Sequence, residues 1–126
     1  MFHDMLKAEQ DATLRLYVLR AYLTAGEAEL ALGQDNEAGA DFQNAVDTAD
    51  KLVRDDPDQA YTRLDEARAK RHLAQVLAVD GQCSQAEQLF QQATEEWKSL
   101  SPIGILVPAE MRQAASLEAA MEKCRP

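Results

Sequence analysis

The chain alternates apolar and polar positions with the 3.6-residue period of helices, broken at a few fixed points. From about Asp4 to Leu32, the residues Leu6, Leu14, Val18, Tyr22, Ala25 and Ala28 form one apolar row. Leu16, Leu19, Leu23 and Leu30 form a second row beside it, so this helix is expected to be covered on more than one side. Gly33 stops it, as a glycine just past the last turn commonly does. Asp35 is placed to cap a second helix running to about Arg54, with Ala38, Phe42, Ala45, Ala49, Leu52 and Val53 inward. Pro57 disfavours helix at Asp56 and opens a new element. A third helix follows from about Asp58 to Val79, with Tyr61, Leu64, Ala67, Ala74, Leu77 and Ala78 on its buried side and Gly81 at its end.

Ser84 with Glu87 reads as a capping box opening a fourth helix. That helix carries Ala86, Leu89, Phe90, Ala93 and Trp97 to about Leu100. "SPIGILVP" is a non-helical connector, and Pro108 suits the first position of a fifth helix that reaches about Lys123. The apolar row of that last helix is Met111, Ala114, Ala115, Leu117 and Met121. The expected fold is all-α: one domain over residues 1–126, with helical hairpins at about 4–55 and 58–100, a connector at 101–107 and a capping helix at 108–123.

One skeleton occurs twice. Gly33, Gln34, Ala38, Phe42, Gln43 and Ala45 return 48 residues later as Gly81, Gln82, Ala86, Phe90, Gln91 and Ala93. Glycine permits the left-handed backbone of a tight turn, alanines let helix axes approach, and phenylalanine fills the space between hairpins. None of these residue types moves a proton or binds a metal, so the repeat is a packing unit.

These positions resemble the tetratricopeptide repeat, a helix–turn–helix unit of about 34 residues. The match covers roughly residues 15 to 100: Gly33, Ala38, Phe42, Ala45 and Gly81, Ala86, Phe90, Ala93, with Gly26 and Ala74 at the small position of the preceding helix. The tryptophan and tyrosine positions of the repeat's first helix are not matched, and the longer period implies helices about two turns longer than usual. Long-helix repeats of this kind are similar to those joined to bacterial serine/threonine kinases and regulators, and "EEWKSLSPIGIL" resembles the end of such arrays. No kinase motif is present.

The resemblance implies a short superhelix closed by a capping helix. Its concave groove, lined by the first and third helices, would take a peptide or helix of a partner protein. Placed in that phase, the partner-binding residues are Arg20, Leu23, Glu27, Arg68, Arg71, His72 and Gln75, with Thr24, Leu30, Ala31 and Val79 beside them. Arg20, Arg68, Arg71 and His72 would suit an acidic segment, because guanidinium forks pair carboxylates bidentately. The simpler reading of the same charges is a solvated helix face. The lysine and asparagine of the chaperone-tail clamp known in some such proteins are not present where Leu23, Thr24 and Glu27 stand. An alternative role is a structural or dimerisation domain of a larger bacterial regulatory protein, with no groove ligand.

Composition narrows the remaining classes. The formal net charge is −9, and residues 33–58 hold eight acids against Lys51 and Arg54. Such a surface repels nucleic acid and anionic membranes. No stretch approaches the roughly 20 apolar residues of a membrane span, and the first residues lack the apolar core of a signal peptide. His72 has no companion at ligand spacing, and no base–nucleophile pair stands out, so neither enzyme activity, metal nor cofactor is expected. Cys83 and Cys124 read as two reduced thiols in a cytoplasmic protein, with a single bridge as the alternative. The doubly apolar first helix raises the expectation of a homodimer through that helix, or of cover by a neighbouring region of a longer protein.

Overall fold

A computed structural model describes residues 2–100, 112, 117–119 and 121–124. The protein is all-α, and its helices pack as adjacent antiparallel pairs in chain order. The first four are α1 (Phe2–Ala31), α2 (Asp35–Asp55), α3 (Ala60–Val79) and α4 (Cys83–Leu100). A short C-terminal helix, α5, is described at residues 112, 117–119 and 121–124. α1 packs on α2, α2 on α3 and α3 on α4, while α1 and α3 touch along a narrow strip. The connector and the α5 residues Met111, Ala114 and Ala115 lie outside the described residues.

The repeated skeleton folds the same way twice, down to individual hydrogen bonds. Gly33 has φ +77° and Gly81 φ +84°, the left-handed region that a side chain resists. Gly33 N–H donates to the carbonyl of Leu30 and Gln34 N–H to that of Glu29, at 3.1 and 2.8 Å. Gly81 and Gln82 donate to Ala78 and Leu77 in the same pattern, at 3.1 and 2.9 Å. Both turns are therefore Schellman motifs, which use the last orphan carbonyls of one helix while reversing the chain. The glutamine carbonyls then accept the first bonds of the next helices, from Ala38 and Ala86.

This turn chemistry corrects the expected caps. Gln34, not Asp35, stands at the N-cap of α2, and its side chain makes no capping bond. Asp35 is the first helical residue, where its charge faces the positive end of the helix dipole. α4 likewise begins at Cys83, so Ser84 falls inside the first turn instead of capping it. In both hairpins the Schellman turn carries the chain directly into the next helix, leaving no room for a separate capping residue.

The core follows the inward rows. Leu19, Leu23, Ala38, Phe42, Ala45, Val46, Ala49, Leu52, Ala69, Leu73 and Val76 form one cluster across α1, α2 and α3. Ala74, Ala86, Phe90, Leu117 and Met121 form a second across α3, α4 and α5. Phe42 sits so close to Gly26 that a Cβ built there would lie 2.6 Å from the ring, well inside van der Waals contact. At the equivalent place in the second hairpin, fully buried Ala74 shares a cluster with Phe90.

Three expectations fail in the core. Of the two α1 rows, the one through Leu19 and Leu23 is buried, while Leu14 and Val18 of the other remain exposed at 62% and 38%. Tyr61, expected inward, is also exposed, since it lies in the first turn of α3. The cysteines are not free thiols. Cys83 and Cys124 form a disulfide, because α5 folds back against the start of α4 and brings their Cα atoms to 5.7 Å across 41 residues of sequence.

Candidate interaction face

α1 and α3 run side by side, and their shared strip is made of polar and charged contacts. Asp65, buried on α3, receives Arg20 of α1 at 3.6 Å and Arg68 of its own helix at 3.7 Å. Two turns along, Glu27 Oε1 of α1 lies 3.3 Å from His72 Nε2 of α3. The imidazole of His72 stacks on the Phe42 ring with 4.8 Å between centroids and 11° between planes. The ring that fills the space beside Gly26 is thus also the floor on which the polar strip rests. Contact with His72 holds the Glu27 carboxyl below its ordinary range against the opposing effect of partial burial, and the Arg68 and Arg71 charges add to this.

The structure sorts the expected partner-binding residues into two sets. Arg20, Glu27 and Gln75 are exposed and Arg68 and His72 half-buried, on the common α1–α3 face. Leu23 and Arg71 are not on it. Leu23 is a core residue, since it belongs to the second apolar row of α1, which faces α2 and α3. Arg71 is only 5% exposed, with its guanidinium 5.3 Å over the Trp97 ring of α4. One step of helical rotation separates it from His72, enough to turn it from the α1 side to the α4 side. Val79, placed beside the groove, is exposed at the end of α3.

The face consequently lacks the concentrated positive charge expected of it. Arg20 and Arg68 share the carboxylate of Asp65, and His72 meets Glu27. Asp65 is the residue that sequence reasoning left out of the face. Its spacing three before Arg68 was visible, but its burial and its reach to Arg20 depend on the α1–α3 approach.

Two other polar groupings stiffen the interior. Arg63 of α3 reaches Glu96 of α4 at 2.6 Å and also donates to Ser99 Oγ. Between α2 and α3, Lys70 lies 3.7 Å from Asp50 and 3.6 Å from the buried Glu66. Burial, and then a hydrogen bond with Asp50, pushes Glu66 up to about 7, against the pull of Lys70. A small cavity among Ala67, Arg71, Phe90, Ala93, Thr94, Trp97 and Leu117 has a volume of about 20 Å³, room for a water and nothing larger.

Among the described residues there is no group of three or more histidine, cysteine, aspartate or glutamate side chains arranged to hold a metal ion. Among them, too, no helix is long and apolar enough to cross a membrane. No protein-family model matches the chain, and no curated protein and no solved structure is significantly similar to it.

Proposed function

We propose that this protein is a non-catalytic interaction module, a short stack of tetratricopeptide-type hairpins that holds a peptide or helix of a partner protein on the α1–α3 face. The observation that carries this reading is the row of accessible polar side chains across two neighbouring helices: Arg20, Thr24 and Glu27 on α1, Arg68 and Gln75 on α3. The cross-helix contacts there are long, 3.6 Å for Arg20–Asp65 and 3.3 Å for His72–Glu27, and a pair between exposed side chains contributes only about 0–1 kcal/mol. A partner can exchange the contacts of the exposed Arg20 and Glu27 for its own while Arg68 stays beside the buried Asp65. Because the cations already have acidic neighbours, the fitting partner carries both signs of charge instead of being uniformly acidic.

The hairpin architecture supports the same reading. Its two like Schellman turns and the Gly26–Phe42 packing are structural, and the exposed Arg20, Thr24, Glu27 and Gln75 take no part in them. The disulfide also bears on where the module works. Such bridges persist in oxidising surroundings and are rare in the cytosol, so Cys83–Cys124 favours an oxidising compartment over the cytoplasm.

The test is selection of helical peptides from a random library, followed by mapping of amide shifts on titration. Perturbations centred on Arg20, Glu27, Arg68 and Gln75 are expected, with affinity at least tenfold weaker in the Arg20→Ala, Gln75→Ala double variant, which keeps Arg68 beside the buried Asp65, and a melting curve little changed. Arg71 is left intact because its burial over Trp97 makes it structural. Shifts that map elsewhere, or affinity indifferent to the double variant, would remove the groove reading and leave the alternative, a purely structural or dimerisation domain.

A further inference from the structure

One imidazole on the α1–α3 face depends on a single carboxylate. The ring of His72 lies flat on Phe42, and its side chain is only 12% exposed. Both ring nitrogens are shut off from water, and among the described residues neither makes a hydrogen bond. Nε2 instead faces Glu27 Oε1 across the helices at 3.3 Å, and the Glu27 side chain is itself 47% exposed. A protonated imidazole closed to water needs a counter-charge within reach, and here Glu27 supplies it. Around the pair, α3 adds the charges of Arg68 and Arg71, and α2 adds the uncharged Phe42 ring.

The neighbouring charges of the face do not change between pH 5 and 8. A guanidinium keeps its charge at any of these values, which fixes the Arg20 and Arg68 contacts with Asp65. Glu27 stays ionised, because its carboxyl is held below the ordinary value of 4.5. Histidine is the side chain whose charge ordinarily changes in this window. The two carboxyls raised to about 7, Glu29 and Glu66, meet Asp41 and Asp50 of α2 and belong to the α1–α2 and α2–α3 contacts. His72 is therefore the proton site of the face.

We infer that a partner helix seats a cation on Glu27 and that its affinity is governed by His72, strong when the imidazole is neutral and weak when it is protonated. The inference rests on the α1–α3 face being the docking surface. Arg20 and Glu27 stand two turns apart on α1, about 10 Å, so a partner that meets both carries a carboxylate and a cation seven residues apart. A lysine or arginine on Glu27 takes the carboxylate away from His72. With the imidazole neutral, no charge is stranded. With the imidazole protonated, a second positive charge is left beside the incoming one and closed to water. Binding at acid pH must therefore expel the proton of His72 to solvent, which weakens it by up to about tenfold for each unit of pH.

The probe is a helical peptide selected on the full chain at pH 8 from a library with glutamate and lysine fixed seven residues apart, together with the same peptide carrying glutamine for that lysine. Calorimetry from pH 5 to 8 should show affinity for the lysine peptide rising about fivefold or more toward pH 8. At pH 6 the binding heat should change with the ionisation enthalpy of the buffer, which reports the released proton. The His72→Gln variant, and the glutamine peptide on the wild type, should each give an affinity level across the range. The ring-proton resonances of His72 in the wild type give a second reading that needs no variant: their titration midpoint should move to lower pH when the lysine peptide is bound. A wild-type affinity that does not change with pH, a slope that survives in His72→Gln, or an unmoved midpoint would overturn the inference and leave the docking face in place. A selection that returns no peptide shifting the amides of Arg20 and Glu27 would overturn both.

Discussion

Gly26 is required by what stands over it. It is helical, so no unusual backbone angle calls for glycine, and a glycine inside a helix costs about 1 kcal/mol against alanine. The reason for it is Phe42, whose ring carbons occupy the space a methyl group would need, the nearest at 2.6 Å. Phe42 is fully buried and stacked on His72, so it has no free direction in which to retreat. Gly26→Ala should therefore destabilise the fold by about 1–3 kcal/mol despite the gain in helix propensity, as overpacked sites do. Urea denaturation checks this, and a variant as stable as the wild type would show that Phe42 can move. The sequence already marked Gly26 as a small position; the crowding by Phe42 became visible only when two helices were brought together.

At the scale of elements, α5 depends on the rest of the chain. Leu117 and Met121 bury its inner side against Ala74, Ala86 and Phe90, and the Cys83–Cys124 bond ties its last turn to the first turn of α4. Closing a loop of 41 residues removes unfolded-state entropy worth about 4 kcal/mol in the chain-entropy picture. Reduction, or the Cys83→Ser, Cys124→Ser double variant, should lower the melting temperature markedly and expose the α3–α4 apolar surface to a hydrophobic dye. Thermal melts with and without reductant measure it, and an unchanged midpoint would mean that packing alone holds α5. The pairing was not legible in the chain, because two cysteines so far apart carry no spacing signal. The turns, by contrast, were fully legible: a glycine after an apolar row, met twice, fixed both reversals.

For the whole molecule, the acidic charge is tied to pH through two carboxyl pairs between helices. Glu66 beside Asp50 links α3 to α2, and Glu29 beside Asp41 links α1 to α2. Burial above all raises Glu66 to about 7, and hydrogen bonding to Asp41, then burial, raises Glu29 to about 7. A carboxyl whose folded value is raised binds more protons folded than unfolded over this window. Its contribution to stability is complete below the ordinary value of 4.5 and is lost as pH rises through about 7. The melting temperature should then fall from pH 5 to pH 8, and Glu66→Gln should flatten the decline and raise stability at pH 8. Glu27 acts in the opposite sense, its lowered value protecting the fold above 4.5 and ceasing to do so as pH falls further. Calorimetry across pH 4 to 8 measures the balance, and a midpoint rising toward pH 8 would contradict it.

The sequence by itself determined the helices, their reversals and most of the residues that pack between them. Each of those depends on local periodicity, on glycine at a turn, or on small and large residues one helical turn apart. It could not decide which of the two apolar rows of α1 is covered, since both satisfy the same period and only the position of α2 and α3 selects Leu19 and Leu23. Nor could it separate Arg71 from His72, adjacent in the chain but turned to different neighbours by about 100° of helical rotation. The ion pair of Asp65 with Arg20, the stacking of His72 on Phe42 and the bond between Cys83 and Cys124 all join residues on different helices. Those were decided by tertiary structure alone, because distance between helices is set by packing and is not encoded in spacing along any one of them.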